Sequence, residues 1–197
     1  MMKSVQNIYG DVTGALPIVG SAQDLANDYL KKDGTLDEKI DSLIRWQVTK
    51  AAFTGFATGV PGGFIMAVTI PAGIASALYV QTRMAAAIAY MRGYDTNSDQ
   101  VKTFAICCLV GDGAMTLLKD AGAQIAMGAA KAAIKEISRE TIVAINKAVG
   151  MRLVTKFGST GAINLGKAVP LVGGLVGAGL DSTSTYGVGQ AAKQVFV

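Results

Sequence analysis

The chain contains no histidine and only two cysteines among its 197 residues. Without histidine it cannot carry out Ser-His-Asp or Cys-His catalysis, ligate zinc through imidazole, or use the usual general base near pH 7. The two cysteines, Cys107 and Cys108, are adjacent in the apolar run TFAICCLVG and cannot join distant parts of the fold. We therefore expect buried, reduced thiols, which fit a reducing cytosol.

Charged and aromatic side chains are also scarce. Only 16% of the residues are charged, against roughly 25% in typical soluble domains. The net charge is +4, and it is uneven. Residues 1–113 hold nine Lys/Arg and ten Asp/Glu, whereas residues 114–197 hold nine and four. With one Trp, six Tyr and six Phe there is little aromatic surface for base stacking. We expect no nucleic-acid partner, and the basic second half is either a solubilising surface or one that meets anionic lipid.

Sequence signatures of enzymes and cofactors are missing as well. The chain has no GxSxG, no phosphate-binding GxxxxGK[ST], no metal-ligand cluster and no carboxylate pair at a diagnostic spacing. Gln6, Asn7 and Asp11 interrupt the apolar N-terminal residues, so no cleavable secretory signal is visible. We expect no cofactor, no metal and no catalytic residues.

Helical periodicity runs through the sequence without sustained period-2 alternation, which predicts an all-α, compact multi-helix single domain over residues 1–197. Thr35 and Glu38 have the spacing of a capping box, Ser98 and Asp112 are predicted N-caps, and Gly93 a C-cap. The predicted helices cover residues 21–32, 36–56, 64–69, 71–90, 99–110, a segment from about 112, 121–148, and 167–195 as one helix or a hairpin.

Residues 51–82 form the longest stretch without a charge, thirty-two residues cut by Pro61 and Pro71. A membrane-spanning helix needs about 20 consecutive apolar residues, and neither piece reaches that length comfortably. The segment predicts a central Pro/Gly-interrupted hairpin that is either buried in the protein or able to enter a membrane. If it enters, the predicted membrane-contact residues are Phe64, Ile65, Met66 and Ile70.

Gln81, Thr82 and Arg83 interrupt an otherwise apolar helix. A buried guanidinium needs an anion, carbonyl oxygens, a water-filled cleft or a route to the surface. Asp112 and Asp181 are the candidate partners because each lies in a Gly-rich, weakly charged neighbourhood. The alternatives are a structural ion pair, a guanidinium that extends to the surface, and a ligand or headgroup site built from Gln81, Arg83, Asp112 and Asp181.

Lys131, Lys135 and Arg139 recur at i, i+4 and i+8, which predicts a basic stripe on one helix. Such a stripe either binds anionic headgroups or is a solvated face shared with Glu136 and Glu140. Gly173 and Gly177 have the small-xxx-small spacing that lets two helices approach closely.

Short motifs follow one another in a definite order over about residues 48–196. They are Pro71, Gln81, Arg83, Gly93-Tyr94-Asp95, Lys156-Phe157-Gly158, Gly161, Asn164-Leu165-Gly166-Lys167, Pro170, Gly173-Gly174 and Asp181. This ordered series resembles the EcsC family of bacterial proteins. The resemblance implies a membrane-linked accessory role, because the family takes its name from a gene beside two ABC-transporter components. It supplies no catalytic residues.

These observations favour a cytoplasmic protein, peripherally associated with the inner membrane, that binds anionic lipid or a membrane-protein partner. Two alternatives stay open: an enzyme acting on a lipid-like substrate through Arg83 and Asp181, and a protein that perturbs membranes by inserting its hairpin. The sequence fixes neither the lipid, the partner nor the oligomeric state.

Overall fold

The computed structural model describes residues 2–14, 20–54, 72–123, 130–165 and 170–197, and side chains within 2–14, 20–51, 77–123, 131–156 and 182–197. These ranges hold nine α-helices, one 3₁₀ helix and no strand, so the all-α prediction is confirmed. The helices are α1 (Met2–Thr13), α2 (Ala22–Leu30), α3 (Leu36–Thr54), α4 (Ala72–Met91), α5 (Asp99–Cys107), the 3₁₀ helix Cys108–Gly113, α6 (Ala114–Asp120), α7 (Ala130–Lys135), α8 (Arg139–Leu165) and α9 (Pro170–Val195).

Most of the predicted helix ends follow from side chains that satisfy free backbone groups. The Thr35 hydroxyl accepts from the backbone N–H of Glu38, and the Glu38 carboxylate accepts from that of Thr35, as the capping box requires. The Ser98 hydroxyl caps α5 by accepting from the backbone N–H of Val101. Gly93 follows α4 with a positive φ of 76°, and Tyr94 N–H bonds back to the carbonyl of Ala89, which is the predicted glycine stop.

The observed helices differ from the sequence prediction in several places. The chain forms α1, which was not predicted although Val5, Ile8, Tyr9 and Val12 have helical spacing and are all buried. The N-cap of α6 is Gly113 rather than Asp112. Helices were predicted over 121–148, and α8 continues beyond them to Leu165; turn and coil over residues 136–138 separate it from α7. Of the two alternatives predicted over 167–195, the structure shows one helix over residues 170–195.

Helix α4 lies at the centre and packs against α1, α2, α3, α5 and α9. Its residues from Met84 to Ala89 are fully buried, because an all-apolar run of small and medium side chains lets neighbouring helices approach on every side. Cys107 and Cys108 are free and buried in the same core. Burial raises the pKa of Cys107 to about 12 and that of Cys108 well above its ordinary value, so neither thiol is a nucleophile near neutral pH.

Within the described residues one helical stretch, Asp99–Asp120, is long and apolar enough to cross a membrane by length and composition. It comprises α5, the 3₁₀ helix and α6. Gly111 interrupts it with φ 77° and ψ −136°, and 67% of its most apolar window is buried inside the protein. A core helix of a globular protein has the same composition, so this stretch is accounted for by packing.

Helix α9 closes the fold against α3. A Cβ placed on Gly189 would lie 2.8 Å from both Cγ atoms of Ile44, so the two backbones meet where one residue has no side chain. Beyond this contact, the Lys193 ammonium pairs with Asp41 at 2.8 Å. Arg92, just after α4, pairs with Asp37. These ion pairs join the start of α3 to the ends of α4 and α9.

Candidate functional site

Gln81 lies in the interface between α4 and α9 and is only 1% exposed. Its Nε2 donates to Ser184 Oγ and to Thr185 Oγ1, each at 3.3 Å. Gln81 Oε1 and the hydroxyl of Thr82, which is fully buried, have no hydrogen-bond partner in the described part of the chain. An unsatisfied buried polar atom costs about 1–3 kcal/mol, so these two atoms offset the contribution of the two hydrogen bonds that Gln81 donates.

Arg83 lies two residues after Gln81, so its side chain leaves α4 on a different face and contacts a different element. It is half-buried, and its Nε and Nη2 both donate to the carbonyl oxygen of Ser21, at 3.3 Å each. Burial lowers the pKa of Arg83, and the nearby Tyr79, Asp24 and Asp28 oppose that change. Among the partners predicted for the guanidinium, the structure shows a backbone carbonyl oxygen.

The Ser21 carbonyl belongs to a capping box that fixes the start of α2. The Ser21 hydroxyl accepts from the N–H of Asp24 at 3.0 Å, and the Asp24 carboxylate accepts from the N–H of Ser21 at 2.7 Å. Hydrogen bonds from the Ser21 N–H and hydroxyl, with the Arg83 charge, lower the pKa of Asp24. The preceding Gly20 has φ 71°, and a Cβ there would meet Asp24 Oδ2 at 3.3 Å and Arg83 Nη2 at 3.4 Å. This junction accounts for Arg83 as a structural residue.

Asp112 is not the buried partner of Arg83 that the sequence suggested. Its side chain is exposed, not buried, and although both side chains are described, no ion pair joins it to Arg83. It lies beside α9, with Oδ1 3.7 Å from a Cβ placed on Gly187. Asp112 instead acts on Lys156, where burial lowers the pKa of the ammonium and the Asp112 charge raises it. Glycine on both sides of Asp112 keeps it on a kinked, solvent-facing turn.

Three further sets of predicted residues fall where the structure gives no side chains. The backbone of Asp181 lies in α9, but its side chain is outside the described residues, so its pairing with Arg83 stays a prediction. The close approach predicted at Gly173 and Gly177 is outside the described side chains too. The membrane-contact residues Phe64, Ile65, Met66 and Ile70 lie in 55–71, which is also outside the description.

The predicted basic stripe is not a single helical stripe. Lys131, Lys135 and Arg139 are all exposed, but Lys131 and Lys135 lie in α7 and Arg139 begins α8, so the break over 136–138 removes their common register. Ser138 produces that break, because its hydroxyl accepts from the N–H of Thr141 and starts a new helix. Lys131 then lies with Nζ 5.4 Å from the ring centroid of Tyr94.

Helix α8 carries a surface that the sequence analysis missed. Its inner face is buried through Ile145, Val149 and Leu153. On the opposite face Val143 is 60% exposed, Met151 66% and Val154 54%. Residues 143, 147, 151 and 154 are three or four positions apart, so they lie in a single row along the helix. This row can be recognised in the sequence once the buried face of the helix is known. We call this row the outer stripe; it consists of Arg139, Glu140, Val143, Lys147, Met151 and Val154.

No group of three or more Cys, Asp or Glu side chains is placed to hold a metal ion in the described ranges. The arrangement of the described side chains includes no histidine, and its two thiols are buried and protonated near neutral pH. What it offers is a buried polar seam between α4 and α9, and an exposed amphipathic helix face on α8.

The comparisons with known proteins agree with the ordered motifs. No curated protein and no solved structure matches the chain. The model of the EcsC protein family matches residues 10–197, which extends the resemblance through α2 and α3 to the latter part of α1. On a match that covers nearly the whole chain, this protein is a member of the EcsC protein family.

Proposed function

We propose that this protein associates reversibly with an anionic membrane surface and serves there as an accessory protein without catalysis of its own. The observation that carries the proposal is the outer stripe of α8. Exposed apolar side chains on soluble proteins are usually scattered singly. Here three large aliphatic side chains share one row with Arg139 and Lys147.

An amphipathic helix of this kind suits the boundary between headgroups and acyl chains. Its apolar side chains enter the boundary, and its cations meet lipid phosphates at about 1 kcal/mol each. Val143, Met151 and Val154 supply the apolar part and Arg139 and Lys147 the charge, with Glu140 as the only acidic member of the stripe. The charge of the chain supports the same orientation, because residues 114–197 hold nine basic and four acidic residues.

Replacing Val143, Met151 and Val154 together with Ser is expected to weaken binding to phosphatidylglycerol vesicles about tenfold or more. Each aliphatic side chain contributes on the order of 1 kcal/mol when half of its surface leaves water. Co-sedimentation with vesicles measures the partition coefficient, and circular dichroism verifies that the helices are retained. Tyr186→Ser is the matched control, because Tyr186 is 52% exposed and lies on α9. Equal binding by the triple variant and the wild type would remove α8 from the proposal.

The charge of the outer stripe gives a second, separate expectation. Arg139→Gln with Lys147→Gln should weaken binding about thirtyfold at low salt, since each cation contributes about 1 kcal/mol near an anionic surface. Lys131→Gln with Lys135→Gln removes the same charge from α7 and should have a smaller effect, because α7 lies outside the stripe. The difference in vesicle binding between the two double variants should decrease with added salt, because salt screens the charges as the Debye length falls to about 8 Å and below. Equal losses from both pairs would show that net charge alone, and no particular helix face, determines binding.

A further inference from the structure

A second surface feature lies away from α8. A cleft of about 410 Å³ opens on α3 and the end of α2, lined by Tyr29, Lys32, Ser42, Arg45, Trp46 and Thr49. This volume falls within the roughly 300–1,000 Å³ range of small-molecule sites. None of the residues of the outer stripe contributes to it.

The charge of the cleft is positive and unneutralised. Lys32 and Arg45 line it and no carboxylate does. Neither cation forms an ion pair within the described chain, whereas the neighbouring Lys31 pairs with Asp28 at 3.7 Å. The Lys32 Nζ lies 3.7 Å from the ring centroid of Tyr29, which holds the ammonium at the cleft wall. A guanidinium and an ammonium that both lack an anion are the donors that a phosphate group requires.

The other side of the cleft is formed by the aromatic ring of Trp46. Trp46 is the only tryptophan of the chain, and it is 50% exposed. The Nζ of Lys50 lies 5.3 Å from its ring centroid and adds a third positive charge at this edge. The exposed half of the indole lies in water beside Lys32 and Arg45 and does not contribute to packing. It suits contact with the apolar part of a ligand whose charged part is held by Lys32 and Arg45.

We propose that this cleft binds an organic phosphate, with the phosphate on Arg45 and Lys32 and the apolar part of the ligand against Trp46. Such a ligand is either the headgroup region of an anionic lipid or a water-soluble phosphate ester. The proposal does not depend on membrane binding through α8, since the two surfaces share no residue.

Trp46 makes the test direct, because all tryptophan fluorescence of the protein arises from the cleft. The probes are dihexanoyl phosphatidic acid as monomers, phenyl phosphate, and inorganic phosphate as the bare anion. Titration with an organic phosphate should change the intensity or wavelength of emission to a saturating value. Saturation by dihexanoyl phosphatidic acid alone identifies a lipid site, and saturation by phenyl phosphate identifies a soluble ester. Failure of both to produce a saturable change, or a response to inorganic phosphate as tight as theirs, would overturn the proposal.

Substitutions of the cations test whether Arg45 and Lys32 are the residues that bind the phosphate. Arg45→Gln and Lys32→Gln should each raise the apparent Kd about tenfold, the expected loss for one charge-assisted hydrogen bond. Lys31→Gln should leave it unchanged, because Lys31 is adjacent in sequence, similarly charged and absent from the cleft lining. Equal Kd values in all three variants would also overturn the proposal. Vesicle co-sedimentation of Arg45→Gln separates this site from the outer stripe, whose contribution to binding that variant leaves intact.

Discussion

Gly189→Val is expected to lower the free energy of unfolding by about 2–3 kcal/mol, the cost of overpacking a well-filled core. For a chain of this length such a loss corresponds to a decrease in Tm of roughly 4–12 °C. The cause is the crossing of α3 and α9, where a Cβ on Gly189 would lie 2.8 Å from two carbon atoms of Ile44. Ile44 is 1% exposed and cannot move into solvent. Thermal unfolding followed by circular dichroism measures the effect.

Gly10→Ala is the control for the glycine substitution itself. Gly10 is an exposed helical residue of α1, and a Cβ there would meet nothing within 4 Å. The change should raise the free energy of unfolding by about 0.5–1 kcal/mol, because alanine loses less conformational entropy than glycine in a helix. If Gly189→Val proved as stable as the wild type, α9 would not rest on α3 as the structure has it.

The sequence is sufficient to predict the helices whose ends are determined locally. Thr35 with Glu38, Ser98 and Gly93 act through backbone groups three to five residues away, so their spacing is visible in the sequence. Ser138 acts through the same short-range chemistry and divides α7 from α8. The capping signal at Ser138 lies within a helical spacing of basic residues, which is why Lys131, Lys135 and Arg139 were predicted to share one helix.

Long-range contacts could not be predicted in the same way. Gly173 and Gly177 have a recognised small-residue spacing, but their side-chain positions lie outside the described residues. The structure describes a close approach of α9 to α3 at Gly189. That contact depends on Ile44, the α3 residue that lies opposite Gly189. The partner of Arg83 is a backbone carbonyl of Ser21. A sequence search for a carboxylate cannot find such a partner, because every residue has a carbonyl and only the fold brings one within reach.

The same limit applies to exposed surfaces. Val143, Met151 and Val154 occur among many aliphatic residues, and their exposure becomes evident only once Ile145, Val149 and Leu153 are known to face the core. Trp46 is a conspicuous residue in the sequence, but its neighbour Lys32 comes from the turn that follows α2. Both candidate binding surfaces therefore depend on the packing of α2, α3 and α8 rather than on a local motif.

Gln81→Glu is expected to destabilise the protein by about 3–5 kcal/mol at pH 8 and by less than about 1 kcal/mol near pH 4. The substitution keeps the size of the side chain but places a carboxyl group where only 1% of the residue is exposed. Burial disfavours the charged form, so the pKa of the new carboxyl rises in the folded protein above its ordinary value of about 4.3. Below that value the group is neutral in both states and the penalty is absent. As the pH rises, the unfolded chain ionises first, and stability falls until the folded pKa is passed.

Gln81→Met separates the effect of the new charge on stability from the effect of losing the amide group. It removes two 3.3 Å hydrogen bonds to Ser184 and Thr185 together with the unsatisfied Oε1, so its stability should stay within about 1 kcal/mol of the wild type at both pH values. Urea unfolding of the three proteins at pH 4 and pH 8 makes the comparison. A small, pH-independent loss for Gln81→Glu would mean that the interface of α4 and α9 admits solvent or a cation. That result would show the polar seam of Gln81 and Thr82 to be accessible from outside and therefore able to receive a ligand.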